Sequence, residues 1–240
     1  MIRVRVTQTW GSTPREVGAE MFVTAAGCTG TIGGGRLEFD AIARARQMIS
    51  AAETEAVMEI TLGPDSGQCC GGRVRLGFDR AGPSPLPAPP QVLIFGAGHV
   101  GRALARLLSQ LPFDVALIDS RAEELSLATG CRTRLEAIPE AVIAAARPGA
   151  AYVVLTHDHG LDFLLTTEAL RRGDAVYVGL IGSATKRARF LREARAQGVD
   201  TTALTCPIGA GFTADKRPEV IAVFAAAEIT ARLTANATVR

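Results

Sequence analysis

The second half of the chain alternates short apolar runs with longer amphipathic ones, and this pattern predicts a parallel sheet covered by helices. Four runs are short, apolar and rich in β-branched residues, as buried parallel strands are: residues 92–95, 115–119, 152–156 and 176–181. Five longer runs have helical periodicity: residues 100–110, 139–146, 161–171, 184–197 and 218–233. Such alternation is typical of a Rossmann-type, doubly wound α/β fold.

The first 80 residues show period-two alternation with one helical run. Strands are predicted where polar and apolar side chains alternate: residues 2–9, 19–24, 28–32, 57–62 and 73–78. One helix is predicted over residues 36–51, whose apolar side chains fall on one face. The pattern therefore predicts a smaller N-terminal α+β domain. It has little core of its own, so we expect it to pack on the second part or on another subunit.

Residues 81–90 separate these two patterns and contain five prolines and a glycine. Proline lacks a backbone donor and restrains the residue before it, which excludes a helix or a central strand here. We interpret this segment as a stiff interdomain linker. The predicted organisation is an N-terminal domain at residues 1–80, a linker at 81–90 and a Rossmann-type domain at 91–240.

Composition and charge exclude several classes of protein. Hydrophobic residues make up 48% of the 240 residues and charged residues 21%, which is ordinary globular composition. A formal net charge of +2 gives no reason to expect nucleic acid or an anionic membrane as a partner. The apolar runs are too short to span a bilayer, and residues 1–6 alternate instead of forming a signal peptide. We therefore expect a soluble, cytoplasmic protein.

A glycine loop follows the first predicted strand of the second half and opens a helix. Gly96, Gly98 and Gly101 have the G-x-G-x-x-G spacing that lets backbone amides approach a phosphate at a helix N-terminus. Asp119 ends the next strand, 18 residues past Gly101, where a ribose-binding carboxylate would lie. By itself this pattern indicates an NAD(P)-dependent oxidoreductase. The alternatives are that the glycines serve only close packing, and that His99 points into solvent instead of contacting a ligand.

Further polar loops follow the other predicted strands, and all should lie at one edge of the sheet. Gly182 and Ser183 follow one strand, and residues 206–209 form a later loop. His157 and His159 follow another strand with spacing suited to a metal. A binuclear zinc hydrolase would need a third histidine, and the only other one is His99. A helix start with one histidine touching a ligand is the preferred interpretation.

The N-terminal part carries two further candidates for ligand binding. Gly33, Gly34 and Gly35 precede the predicted helix, where they form either an anion cradle or a hinge. Cys69 and Cys70 lie on a glycine-rich loop beside an arginine, which favours thiolate. Thiolate is a ligand for sulfur-preferring metals such as molybdenum and a carrier of persulfide sulfur. The alternative is that these cysteines are buried in the core.

Taken together, these motifs resemble the xanthine dehydrogenase accessory protein family, XdhC, over nearly the whole chain. The matching strings are residues 11–16, 30–35, 68–72, 95–101, 156–159, 177–187 and 206–209. The resemblance implies a non-catalytic chaperone, acting as a homodimer. Such a protein holds the molybdenum cofactor while a cysteine desulfurase supplies its sulfido ligand, then delivers it to apo-xanthine dehydrogenase or a related hydroxylase.

The resemblance also assigns roles to particular residues. Cys70, more than Cys69, would lie near the molybdenum, and the glycine loops would hold the phosphate of the pterin. An NAD(P)-dependent oxidoreductase remains the second hypothesis, with His157 and Lys186 as candidate acid or base. A zinc hydrolase ranks last.

Overall fold

The computed structural model describes residues 1–63, 71–82, 88–211 and 215–235. The chain divides into two compact units, Met1–Pro87 and Ala88–Val239. No helix in these ranges is long and apolar enough to cross a membrane.

The N-terminal unit is an antiparallel sheet with one helix. Its five strands are β1 (Ile2–Trp10), β2 (Glu20–Val23), β3 (Cys28–Gly30), β4 (Glu55–Thr61) and β5 (Arg73–Arg80), in the order β3-β2-β1-β5-β4. Helix α1 (Gly35–Ser50) follows β3. The alternating residues Ile2, Val4 and Val6 of β1 are buried with Leu37 and Ala41 of α1, as period-two and helical patterns require. The predicted strand 28–32 ends earlier than expected, at Gly30, whose φ of 82° leaves the strand region.

The C-terminal unit is a six-stranded parallel sheet with helices on both faces. The strands are β6 (Gln91–Phe95), β7 (Asp114–Asp119), β8 (Thr133–Leu135), β9 (Ala151–Val154), β10 (Tyr177–Leu180) and β11 (Leu204–Thr205). The helices are α2 (His99–Leu108), α3 (Ala122–Ser126), α4 (Pro139–Ala144), α5 (His159–Arg171), α6 (Ala184–Ala196) and α7 (Pro218–Thr234). The prediction of a doubly wound Rossmann-type fold is confirmed.

The sheet order is β11-β10-β9-β6-β7-β8, which corresponds to the strand order of dinucleotide-binding Rossmann folds. One apolar layer packs the sheet against α2, α3 and α7, and the other packs it against α4, α5 and α6. All strands run in parallel, but the chain adds strands toward one edge of the sheet from β6 to β8 and toward the other edge from β9 onward. The neighbouring strands β6 and β9 therefore mark the point where the strand order reverses. Ligands of such folds bind at the carboxyl ends of the strands beside this reversal.

Three elements of this unit were not predicted: α3, β8 and β11. Strand β8 has three exposed residues and β11 has two, so neither shows an apolar run that sequence periodicity can detect. The third predicted strand was also wrong at its end, since it stops at Val154 and not at Thr156. The backbone amide of Thr156 instead donates to the side chain of Asp162.

Candidate functional site

The glycines of the loop between β6 and α2 serve two different purposes. A β-carbon on Gly96 would lie 2.3 Å from the carbonyl oxygen of Leu155, and one on Gly101 would lie 1.9 Å from that of Gly96. Close packing therefore requires both glycines. Around Gly98, in contrast, no atom of the described residues other than its neighbours in the chain lies within 4 Å of such a β-carbon. Packing does not explain Gly98, whose missing side chain leaves open space beside the helix.

Helix α2 begins at this open glycine without a side-chain cap. Gly98 is the N-cap residue, and no side chain of the described residues accepts a hydrogen bond from the first turn. The amide of Gly96 donates to Ile118 at 2.8 Å and that of Ala97 to Asp119 at 2.7 Å, so the loop is fixed upstream of the helix. The first turn of α2 can thus donate to an anion. His99 is exposed as its first residue.

Asp119 ends β7 as predicted, but its carboxylate already has partners. It accepts from the Ala97 amide and from the Arg121 side chain, whose Nη2 lies 2.8 Å from Oδ2. Burial opposes ionisation of Asp119, but the hydrogen bonds from Arg121 and Ala97 outweigh it and lower the pKa of the carboxyl to about 2. Asp119 is therefore a buried anion bound to the glycine loop.

A small cleft lies at the reversal point, beside the glycine loop. It has a volume of about 20 Å³, and Gly96, Asp119, Thr156 and His157 are among the residues that line it. This volume is about that of one ordered water and excludes a ring system. A bulky ligand at this edge must lie outside this cleft.

The two histidines after β9 are both exposed. His159 is the first residue of α5, and Asp158 caps that helix by accepting from the Leu161 amide at 2.8 Å. Only His157 of the pair lines the cleft. Within the described ranges, no group of three or more His, Cys, Asp or Glu side chains is placed to hold a metal ion.

A buried ion pair between Asp162 and Lys186 was missed from the sequence. Asp162 is 1% exposed and accepts from both the amide and the hydroxyl of Thr156 at 2.8 Å, as well as from the Lys186 ammonium. The partners are 24 residues apart, so no local pattern joins them. The sequence carried one signal for this pair: an acid in the first turn of α5 and a base in the first turn of α6, two helices that follow the neighbouring strands β9 and β10.

Gly182 and Ser183 shape the start of α6. A β-carbon on Gly182 would lie 2.6 Å from Cδ of Lys186, so the glycine lets the lysine stem fold back toward Asp162. Ser183 is the N-cap, and its hydroxyl accepts from the Lys186 amide at 3.2 Å. Both predicted residues thus position Lys186.

A larger pocket opens at the same edge of the sheet, after β10 and β11. Its volume is about 500 Å³. The lining is mostly apolar with one aspartate and one lysine, and comprises Ile181, Gly182, Ser183, Pro207, Ile208, Gly209, Ala210, Asp215, Lys216 and Ile221. Adjacent strands lie about 4.8 Å apart, so the start of this pocket after β10 is about 10 Å from the glycine loop after β6. Pockets of this size and character bind small organic ligands.

Cys206 lies just before this pocket and is 8% exposed. Burial raises the pKa of its thiol to about 11, although Lys186 and Arg187 act in the opposite direction. At neutral pH Cys206 is a protonated thiol. Metals bind the thiolate, so this cysteine is a poor metal ligand as it stands.

The triple glycine before α1 forms an anion cradle that holds a side chain of the protein itself. Gly33, Gly34 and Gly35 all have positive φ. The Glu38 carboxylate accepts from the amides of Ile32 at 2.9 Å, Gly33 at 3.1 Å and Gly34 at 2.9 Å. These three amides already bind a carboxylate of the protein, and a ligand phosphate would have to displace Glu38 from them.

The pKa of Glu38 makes this cradle sensitive to acid. Burial alone would raise it, but hydrogen bonds from Thr31 and the three amides lower it below the ordinary 4.5. A carboxyl with a lowered folded-state pKa stabilises the fold above its unfolded value and loses that effect as the pH falls through the folded value.

We expect Glu38→Gln to lower the free energy of unfolding by about 1 kcal/mol at about pH 7, the usual cost of losing a helix cap. The deficit should shrink as the pH falls from the ordinary carboxyl value of 4.5 through the lower folded-state pKa of Glu38, because the unfolded wild-type chain binds the proton first and the folded chain binds it only at lower pH. Urea unfolding of both proteins at several pH values measures this difference. A deficit independent of pH would show that the Glu38 charge is not what holds the cradle.

The double cysteine loop lies outside the described residues, so the roles of Cys69 and Cys70 stay predictions. Gly72, just after this loop, is closely packed, since a β-carbon on it would lie 2.2 Å from the carbonyl oxygen of Ser12. The Arg73 guanidinium lies 4.2 Å from the centre of the Trp10 ring. This cation–π contact places Arg73 beside Trp10.

Two protein-family models match the chain. One, described as the XdhC Rossmann domain, matches residues 92–229. The other, described as the XdhC and CoxI family, matches residues 1–61. The two matched regions fall in the two units of the fold.

The individual proteins compared next share 30% or less sequence identity with the chain. The uncharacterized protein YqeB of Escherichia coli (strain K12) is 30% identical over 237 residues, covering 94% of this chain and 42% of YqeB. The chain thus spans less than half the length of that relative. A crystal structure described as a xanthine dehydrogenase from Bacillus halodurans aligns with a TM-score of 0.77 at 16% identity, covering 98% of this chain and 91% of the other, which shows a common fold. A putative oxidoreductase from Magnetospirillum magnetotacticum MS-1 has a TM-score of 0.34 at 24% identity over 46% of this chain and 36% of its own, too low to indicate one.

Proposed function

The chain belongs to the XdhC and CoxI family, and we propose that it holds the molybdenum cofactor during maturation of a xanthine dehydrogenase-type hydroxylase. In this proposal it is a non-catalytic chaperone. Its partners are the apo-hydroxylase, a cysteine desulfurase and a second copy of the chain. The bound cofactor supplies the molybdenum centre and sulfido ligand that the hydroxylase needs.

The observation that supports this function is a pair of features at one edge of the parallel sheet. The first is the uncapped start of α2 beside Gly98, which suits a phosphate. The second is the apolar pocket of about 500 Å³ after β10 and β11, which suits a ring system. A pterin that carries a phosphate needs both, so the residues present fit the cofactor. The pterin phosphate would bind the first-turn amides of α2, and Lys216 would face the ring pocket.

The metal end of the cofactor is assigned from the family resemblance alone. Cys70 is the proposed thiol ligand of molybdenum, and the buried Cys206, whose thiol is protonated at neutral pH, is not part of this proposal. The test is retention of cofactor released from a molybdoenzyme under anaerobic conditions, measured after gel filtration. We expect near-stoichiometric binding, reduced at least about tenfold in Cys70→Ala. Cys28→Ala removes an exposed cysteine of β3 and is the matched control, expected to bind as wild type.

The phosphate end is tested by Gly98→Asp. Gly98 has extended backbone with φ −66° and open space around it, so a side chain is tolerated, and aspartate is a favoured N-cap. The new carboxylate should occupy the first-turn amides and repel the phosphate, lowering cofactor retention at least about tenfold. Thermal stability should be equal to or above that of wild type, which separates lost binding from lost folding.

Gly98→Asn is the matched control for that variant, because it has the size of aspartate without its charge. We expect it to retain more cofactor than Gly98→Asp. If Gly98→Asp binds cofactor as well as wild type does, the phosphate does not lie at this helix and the proposed site is wrong.

An NAD(P)-dependent oxidoreductase is the second candidate, favoured by the strand order of the sheet. It requires that Asp119 be able to accept ribose hydroxyls. Calorimetric titration with NAD(H) and NADP(H) tests it, and binding of either below about millimolar concentration would support it.

A further inference from the structure

Asp119 lies where a dinucleotide-binding Rossmann domain binds ribose. It ends β7, the strand next to β6, and it contacts the glycine loop that follows β6. In dinucleotide-binding domains the carboxylate at this position accepts hydrogen bonds from the ribose hydroxyls. Its capacity to do so depends on how many of its lone pairs are free.

Four donors already occupy this carboxylate. Oδ2 accepts from the Ala97 amide at 2.7 Å and from Arg121 Nη2 at 2.8 Å. Oδ1 accepts from the Arg121 amide and from Arg121 Nε, each at 3.0 Å. An ionised carboxylate offers about four lone-pair sites, two on each oxygen. The side chain is 4% exposed, so little of it is left for a ligand.

Arg121 is itself held in place by a closed ring of contacts around Ala97. Its Nη1 lies 3.9 Å from Glu124, and Glu124 pairs with Arg102 at 2.7 Å. Arg102 donates in turn to the Ala97 carbonyl oxygen. The peptide groups on both sides of Ala97 are thereby fixed, and with them the loop that precedes Gly98.

We propose that Asp119 is a positioning residue for the phosphate loop and that Arg121 closes this Rossmann site to NAD-type dinucleotides. An adenosine ribose would have to displace Arg121 from a buried carboxylate, losing charge-assisted hydrogen bonds without a replacement acceptor for the guanidinium. The site therefore admits a phosphate ester that does not place a ribose against Asp119. The inference rests on the proposed function in one respect, that the ligand carries a phosphate.

The test is a gain of binding. Arg121→Ala removes the Nε and Nη2 donors, which frees one lone pair on each oxygen of Asp119, the number needed for two ribose hydroxyls. We expect this variant to bind NAD⁺ at least about tenfold more tightly than wild type, because a hydrogen bond to a charged acceptor contributes about that factor. Arg121→Met keeps the apolar stem and should gain similarly if the alanine variant folds poorly.

The readout is the amide resonances of Gly98 and His99 in a titration followed by NMR, with NAD⁺ and inorganic phosphate as probes. Wild type should respond to phosphate and show no saturable NAD⁺ binding below about millimolar concentration. Arg189→Ala is the matched control, since Arg189 is also paired with a carboxylate, Glu193, but lies on α6 outside the ring. It should behave as wild type with both probes.

Three results would overturn the proposal: saturable NAD⁺ binding by wild type, no gain in either Arg121 variant, or no response of the loop to phosphate. If Arg121 had only a structural role, its variants would lose stability or phosphate binding and would not bind NAD⁺ more tightly. A gain of NAD⁺ binding therefore distinguishes the proposed role from a structural one. None of these titrations measures retention of the molybdenum cofactor. Failure of the molybdenum-cofactor function would therefore leave this result standing, and the reverse also holds.

Discussion

Gly101→Ala is expected to destabilise the C-terminal unit by about 3 kcal/mol, at the upper end of the usual cost of overpacking. Its β-carbon would lie 1.9 Å from the carbonyl oxygen of Gly96 and 2.8 Å from Cδ1 of Leu155. The Leu155 side chain can rotate away, but the Gly96 carbonyl belongs to the backbone, so relief requires movement of the helix or of the loop before it. Helix propensity alone predicts the opposite sign, since alanine is favoured over glycine by about 1 kcal/mol inside a helix.

Urea unfolding followed by circular dichroism measures this change. Gly98→Ser is the control from the same loop, because a side chain there meets open space and serine is a good N-cap. We expect this control to be within about 0.5 kcal/mol of wild type or above it. A stabilised Gly101→Ala would mean that α2 does not lie as close to the glycine loop as the structure shows.

Lys186→Met is expected to lower the free energy of unfolding by about 3 kcal/mol, because removing one partner leaves the other charge buried. Asp162 has a side chain that is 1% exposed, and that of Lys186 is 12% exposed. In the variant, Asp162 keeps only the two hydrogen bonds from Thr156. The loss should be visible in both thermal and urea unfolding.

The double variant Asp162→Asn with Lys186→Met should recover a large part of that loss. Asparagine still accepts from Thr156 through its side-chain oxygen and carries no charge that needs an ammonium. Arg189→Ala removes an exposed ion pair of the same helix and should cost less than about 0.5 kcal/mol. If the double variant is as unstable as the sum of its single variants, the two side chains are not energetically coupled.

Local pattern was sufficient for the main architecture. The β-branched runs at β6, β7, β9 and β10 and the helical runs after them specify a parallel sheet, because each signal lies within a few consecutive residues. The glycine spacing at Gly96, Gly98 and Gly101 likewise placed a loop between strand and helix. Short edge elements such as β8 escaped detection, since three exposed residues carry no apolar periodicity.

The partners of the polar side chains could not be predicted in the same way. The sequence indicates Asp119 as a ribose-binding carboxylate, and only the structure shows that the Ala97 amide and the Arg121 side chain donate to it. The sequence indicates either an anion cradle or a hinge at the triple glycine, and only the structure shows that the Glu38 carboxylate accepts from its amides. In each case the residue type indicated the chemistry, and the three-dimensional neighbours determined whether the group was available.

The glycine loop illustrates which features the local sequence determines and which only the tertiary structure determines. Sequence by itself determined that a glycine-rich turn joins β6 to α2, because spacing and flanking periodicity are properties of consecutive residues. Only the tertiary structure decided that Gly96 and Gly101 are required by contacts with Leu155 and with each other, while Gly98 is open to a ligand. It also decided that Asp119 contacts the Ala97 amide of this loop and the Arg121 side chain, because the fold brings together residues that the chain separates.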